Sequence, residues 1–175
     1  MLRAFLSSLC LCASVAVFAG CGYHIAGRAD TIPKSIQTLA VPTFKNETSR
    51  FKVEQSLTSA VVRELITRTR FHVQSTEDES DAVLRGVVTG FYSFPVVFDP
   101  QNGRATTMAI NVRMRVSMIE RKTGKVLYEN PDYVYSERYE ISQAASGYFE
   151  ESSPAMERLS RTFAAGLVSS LLEGF

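Results

Sequence analysis

The sequence predicts an α+β fold, a two-layer sandwich in which two helices cover one face of a four-stranded mixed sheet, in the order β-α-β-β-β-α. Three observations predict it. Apolar residues recur at three- and four-residue spacing in two segments, one through Val53, Leu57, Val61 and Leu65 and one through Met156, Leu159, Phe163, Leu167 and Leu171, as amphipathic helices require. From Met108 to Met118, large apolar side chains alternate with small or polar ones, the period of a strand with one buried face. The first helical segment lies between two short β-rich runs, and a connection of that length suits a right-handed crossover onto one sheet. Two helices with one apolar stripe each can cover one sheet face and leave the other to solvent or a partner.

Each element follows from local signals. Ile36 to Val41 is an aliphatic run stopped by Pro42, the first strand. Phe44 to Thr48 is a turn, and its Asn46-Glu47-Thr48 sequon reads as cap or turn chemistry rather than a glycan acceptor. The first helix runs roughly from Phe51 to Arg70, its solvated face carrying Lys52, Gln55, Ser59, Arg63 and Arg70. Phe71, His72 and Val73 form the second strand, and Thr76 to Asp81 an acidic loop. Ala82 to Phe98 is extended, with Gly86, Gly90 and Pro95 marking bulges, close approach or an edge position. Asp99-Pro100-Gln101-Asn102-Gly103 is the strongest turn signal and closes a long hairpin. Its second arm, Thr106 to Ile119, would span about 45 Å at ~3.3 Å per residue, so part of it is expected to overhang the core. Lys122 to Lys125 turns the chain into Val126 to Tyr128 and, after Asn130-Pro131, into Tyr133 to Ile141, an antiparallel meander with an edge-like proline. The last helix starts near Pro154 with Ser153 as its cap, and Gly174 marks its end.

The N-terminus bears an address. Arg3 precedes an apolar segment from Ala4 to Phe18, too short for a relaxed transmembrane helix, that ends in Phe18-Ala19-Gly20-Cys21. Residues 1–20 read as a lipoprotein signal peptide with Phe18 where leucine is usual, and Cys21 as the lipidated first residue of the mature chain, carrying acyl (palmitate) and diacylglycerol groups. The alternative is an ordinary cleaved signal with a chance cysteine. Cys10 and Cys12 leave with the leader, so no disulfide can form within the mature chain. Residues 21–34 are a tether and residues 35–175 a single periplasmic domain. Without Arg3 the chain has 18 basic and 18 acidic side chains, a balance that gives no pull toward nucleic acid. Gly22 rather than aspartate follows the cysteine, and by the lipoprotein sorting pattern the expected anchor site is the inner leaflet of the outer membrane.

Catalytic chemistry lacks a constellation. His24 and His72 are the only histidines, and neither is accompanied in sequence by a nucleophile, an orienting carboxylate or metal-ligand spacing. Glu77, Asp78, Glu79 and Asp81 lack EF-hand spacing and read as a solvated turn. Gly86 and Gly90 lie in a strand rather than ahead of a helix, so no phosphate loop is indicated. The expectation is a protein that is not an enzyme and has no cofactor or metal. Two surface features remain. Arg113 and Arg115 share the polar side of the long strand, near Arg104 in sequence and opposite Arg85 across the hairpin; they suit lipid phosphates or the acidic side chains of a barrel, or serve only solubility. Phe91, Tyr92, Phe94 and Phe98, with Val96 and Val97, are many large apolar groups for a hairpin end, as at a partner contact unless helices cover them.

Taken in order, these residues resemble the LptE family of lipopolysaccharide-assembly lipoproteins over nearly the whole mature chain. The resemblance rests on Cys21-Gly22-Tyr23-His24 with Gly27, Val41 to Asn46, Leu57 with Arg63-Glu64-Leu65, and Ala82 to Gly86. It continues through Thr123 to Leu127, Tyr139, Arg158-Leu159 and Leu172 to Phe175. No single landmark is specific; their order and spacing are. The resemblance implies a non-enzymatic subunit that plugs a β-barrel outer-membrane protein resembling LptD, supports its assembly and helps deliver lipopolysaccharide to the outer leaflet. It also implies glycolipid contact through basic loop side chains, without assigning them to residues of this chain; Arg104 is the basic residue beside the long hairpin turn. Read from the residues alone, a lipoprotein of another envelope machine, a secretin pilot or a regulator of cell-wall synthesis, stays open.

Overall fold

The structure is a computed structural model and describes residues 32–33, 35–141 and 152–173. The expected leader, Cys21, His24 and Gly174 lie outside the described residues, as does most of the expected tether. In chain order the elements are β1 (Thr38–Ala40), β2 (Lys45–Asn46), α1 (Val53–Arg68), β3 (His72–Gln74), β4 (Ala82–Phe98), β5 (Ala105–Glu120), β6 (Val126–Glu140) and α2 (Ser152–Glu173). The fold is α+β with a mixed sheet and two helices, as the hydrophobic periods predict.

The sheet has six strands where the sequence predicts four. Its order is β3-β1-β4-β5-β6, with β2 paired to β4 off that path. β1 runs parallel to both β3 and β4, and β4, β5 and β6 form an antiparallel meander. One additional strand is β2, at the place of the predicted turn. β1 stops pairing with β4 at Val83, and Lys45 and Asn46 take up the free edge further along, opposite Val87 and Val88. The other is β6, one continuous strand through Pro131 rather than two short runs. Proline is tolerated there because β6 is the outer edge of the sheet and because the register slips by one residue between the pairs Met114–Tyr133 and Val116–Asn130.

The core lies between the sheet and the helices. Leu57, Val61 and Leu65 of α1 and Leu159, Phe163 and Leu167 of α2 join Leu84, Val88, Met114, Val116 and Met118 in one buried cluster. Tyr133 and Tyr135 of β6 meet the Phe163 ring edge-on, at centroid distances of 5.3 and 6.2 Å, which ties the edge strand to α2. Gly86 makes the packing of β4 possible, since a Cβ there would stand 2.8 Å from both Phe44 Cδ1 and Met114 Cε. The buried hydroxyl of Thr58 is satisfied twice: it accepts the Phe44 N–H at 3.0 Å and donates to the Glu54 carbonyl at 2.6 Å.

β4, β5 and β6 are 17, 16 and 15 residues long, about three times the usual strand. Beyond Val88, β4 keeps only β5 as a neighbour, so the outer parts of these strands project as a three-stranded arm. The overhang expected from the alternating segment is thus present and extends to its neighbours. Its β4–β5 turn holds Gly103 at φ +69°, and Asp99 and Asn102 side chains bind the turn's own amides.

Candidate partner-binding face

The register of the arm decides which side chains reach its open side. Val112, Met114, Val116 and Met118 of β5 turn toward the helices and are buried, so the residues between them, Asn111, Arg113, Arg115 and Ser117, lie on the other face. Their partners share that face: Tyr92 opposite Asn111, Phe94 opposite Ala109, Val97 opposite Thr107, and Val134 opposite Arg113. Tyr92, Phe94, Val97 and Val134 are 56, 40, 49 and 51% exposed. Such a group of large apolar side chains on one side of a projecting arm is unusual for a solvated surface.

Closer to the base, the same face carries ion pairs. Arg113 forks onto Asp132, Nε donating to Oδ1 at 3.0 Å and Nη2 to Oδ2 at 2.5 Å. Arg85 does the same to Glu77 at 3.1 and 2.7 Å. Arg115 Nη2 donates to both Glu47 oxygens at 3.1 and 3.2 Å. The hydrogen bond from Arg113 holds the Asp132 carboxyl below the usual carboxylate range, and that from Arg85 does so for Glu77. All these groups are about half exposed, so each pair adds little stability and exchanges readily for another anion. Asn111 Oδ1 lies buried between the two zones without a hydrogen-bond partner among the described residues.

The structure separates residues that the sequence places together. Arg113 and Arg115 do share the open face, but Arg104 lies in the turn at the arm's tip, nine positions along β5 from Arg113 and about 30 Å away at the strand rise. Phe91 leaves the predicted apolar group altogether. It faces the helices, packs against the core opposite Val112, and lies under the Arg50 guanidinium at 5.4 Å. Tyr92 and Phe94 stay on the open face, and Phe98 is exposed at the tip. Sequence reasoning missed Val134, Asp132 and Glu47 as members of this face; the only signal was a valine and an aspartate following the Pro131 step.

The remaining candidates do not converge. His72 is exposed on β3 at the opposite edge of the sheet. In the acidic loop Glu77 serves Arg85, while Asp81 Oδ2 accepts the Gln37 and Thr38 amides, each at 2.9 Å, fixing the start of β1. Among the described residues no group of three or more histidine, cysteine or acidic side chains is placed to hold a metal ion, and no helix is long and apolar enough to cross a membrane. Asn46 is committed to its own loop, with Nδ2 donating to the Arg50 carbonyl and Glu54 Oε2 and Oδ1 accepting from Thr48. What the open face offers is recognition chemistry: exposed aromatic area, flanked by exchangeable arginine pairs.

Comparison with known proteins bears on the family and the fold. A family model described as LptE, lipopolysaccharide-assembly, matches residues 36–171. Among solved structures, the rare lipoprotein B of Shewanella oneidensis superposes with a TM-score of 0.55 at 14% identity, covering 79% of this chain and 96% of that one. An uncharacterized lipoprotein B of Nitrosomonas europaea gives 0.55 at 13% identity, over 85% of this chain and 91% of that one. Protein XCC0632 of Xanthomonas campestris gives 0.52 at 14% identity, over 79% and 85%. At these identities the likeness is one of fold. No curated protein matches by sequence at a significant level.

Proposed function

The chain belongs to the LptE family of lipopolysaccharide-assembly proteins, and from that premise we propose that it is the lipid-anchored, non-enzymatic subunit of an outer-membrane lipopolysaccharide translocon. In this reading Cys21 carries the acyl chains that hold the domain at the inner leaflet of the outer membrane. Each buried methylene contributes about 0.8 kcal/mol, so several chains give persistent anchoring. The domain occupies a β-barrel partner resembling LptD, supports its assembly and assists delivery of lipopolysaccharide to the outer leaflet.

The observation that carries the reading is the open face of the arm. Tyr92, Phe94, Val97 and Val134 supply the apolar area that a protein partner would seal, and the flanking pairs of Arg113 and Arg115 supply cations for its acidic side chains or for lipid phosphate. Arg104 at the tip is the third candidate for glycolipid contact. Affinity purification of the full lipidated chain from native outer membranes tests the proposal. A β-barrel recovered in a one-to-one complex supports it, with loss of surface lipopolysaccharide on depletion; recovery of a secretin or of wall-synthesis enzymes with lipopolysaccharide intact would end it. Mass spectrometry of the mature N-terminus tests the lipid on Cys21 separately.

A further inference from the structure

We propose a second binding site, for a phosphate monoester group, in the helical layer away from the open face. It is a groove of about 440 Å³ between the N-terminal part of α1 and α2, lined by Arg50, Lys52 and Arg63 and by Ser56, Ser59 and the buried Ser160, with Glu157 the one carboxylate among the lining residues. The site does not depend on the barrel reading.

Charge is the first argument. Among the described residues none of the three cations is ion-paired, and the carboxylate that lines the groove, Glu157, has a cation of its own. Glu157 binds Arg161 at 2.9 Å and Glu54 accepts from Asn46 at 2.8 Å. The α1 N-terminus supplies the second. Lys52 is its N-cap residue, held at φ +60°, and makes no side-chain capping bond, so the positive end of the helix lies at the groove without a cap, offset only by Glu54 in its first turn. Ser160 supplies the third and independent one. It is 2% exposed, lines the groove from α2, and its Oγ has no hydrogen-bond partner among the described residues. A buried hydroxyl without a partner is costly, and an anion oxygen in the groove would remove that cost. Two guanidinium groups, an ammonium and hydroxyl donors suit a compact dianion with several acceptor oxygens better than a single carboxylate. Phe51 stands at the rim, 80% exposed, with the Lys52 ammonium 5.0 Å from its ring. The phosphate group therefore belongs either to a free phosphate compound or to a lipid headgroup whose chains lie against Phe51.

The test is a titration of the isotope-labelled full chain in detergent micelles, following the amide resonances of Ser56, Ser59 and Ser160. Inorganic phosphate should move all three along one saturable curve in the millimolar range, and chloride at matched ionic strength should not. Arg63→Ser, an exposed position, should weaken binding about tenfold, and Ser160→Ala several-fold, each with the melting temperature kept. Lys52→Gly should weaken it too while raising the melting temperature, because glycine accepts the positive φ. Phosphatidic acid against phosphatidylcholine in nanodiscs separates the sources. Preference for the former, lost in Phe51→Ser, identifies the lipid headgroup; phosphate binding without that preference identifies a soluble compound. Shifts that chloride reproduces, or phosphate binding unchanged in both Arg63→Ser and Ser160→Ala, overturn the site.

Discussion

Replacing Tyr92 and Phe94 together by serine should disconnect the domain from the proposed β-barrel partner without unfolding it. The magnitude follows from exposure. Tyr92 is 56% and Phe94 40% exposed, and an aromatic side chain offers about 200 Å², so about 190 Å² of apolar area is available for a partner to cover. At ~25 cal/mol per Å² the upper bound is about 5 kcal/mol. Immobilisation and imperfect fit consume part of this, leaving about 2–4 kcal/mol, a loss of roughly 30- to 1000-fold in affinity. Both side chains point away from the helices, so the cost to folding should stay within about 0.5 kcal/mol, as for ordinary surface positions. Competition binding of detergent-solubilised variants to the purified barrel measures the first quantity and urea denaturation the second. A native-like melt with affinity changed less than threefold would refute the assignment of this face. Phe91→Ser is the internal control: its ring packs on the core, so it should lower stability more than either neighbour does alone.

Three further outcomes follow from local geometry. Gly86→Ala should cost about 1–3 kcal/mol through overpacking, because its Cβ meets Phe44 Cδ1 and Met114 Cε at 2.8 Å; adding Phe44→Leu should show a favourable coupling in a double-mutant cycle. Burial, and after it the charges of Tyr128 and Tyr135, push the Tyr133 hydroxyl from 10 up to about 12. A raised value gives stability that is complete below pH 10 and lost as pH rises through 12; two units would be ~2.7 kcal/mol and about 1–2 kcal/mol after allowing for partial exposure. Stability measured against alkaline pH should therefore fall more steeply in the wild type than in Tyr133→Phe. The Thr38 and Gln37 amides hold the Asp81 carboxyl below its usual value, so its contribution is present above the unfolded carboxylate range and disappears as pH falls through the lowered value. Asp81→Asn should remove that part of the acid transition, and parallel acid melts would count against it.

Periodicity made the helices, the long hairpin and the alternating strand legible, because each has one buried face whose spacing is written in the residues themselves. β2 was not legible, since two residues carry no period. Lys45 and Asn46 pair only because β1 ends at Ala40, opposite Val83, and leaves the edge of β4 open beyond it. Pro131 read as a break for a sound reason, as a central strand would not accept it, but the edge position of β6 removes the objection. The ion pair of Arg115 with Glu47 joins residues 68 positions apart, and no local signal announces it.

The composition of the open face turns on single surplus residues. In a regular strand Val88, Gly90 and Tyr92 would share a side, and Phe91 would face the other way. The register slips between Val88 and Gly90, so Thr89 is the additional residue and the side chains from Gly90 to Pro95 are reversed: Phe91 turns to the core and Tyr92 and Phe94 turn out, and a further slip between Pro95 and Val97 brings Val97 onto the same open face. β6 repeats the device at Pro131 and Asp132. Tyr128 and Tyr133 are an odd number of positions apart, yet both face the helices, and Asp132 is left beside Arg113. A period-two reading without the bulges assigns the wrong aromatics to the surface, although it finds the right segment. Bulges also increase twist and bend a ribbon, and both lie beside Met114, where β4 loses β2 as a neighbour. The insertions at Thr89 and in β6 that place Tyr92, Phe94 and Asp132 on the open face therefore also bend the arm that presents them.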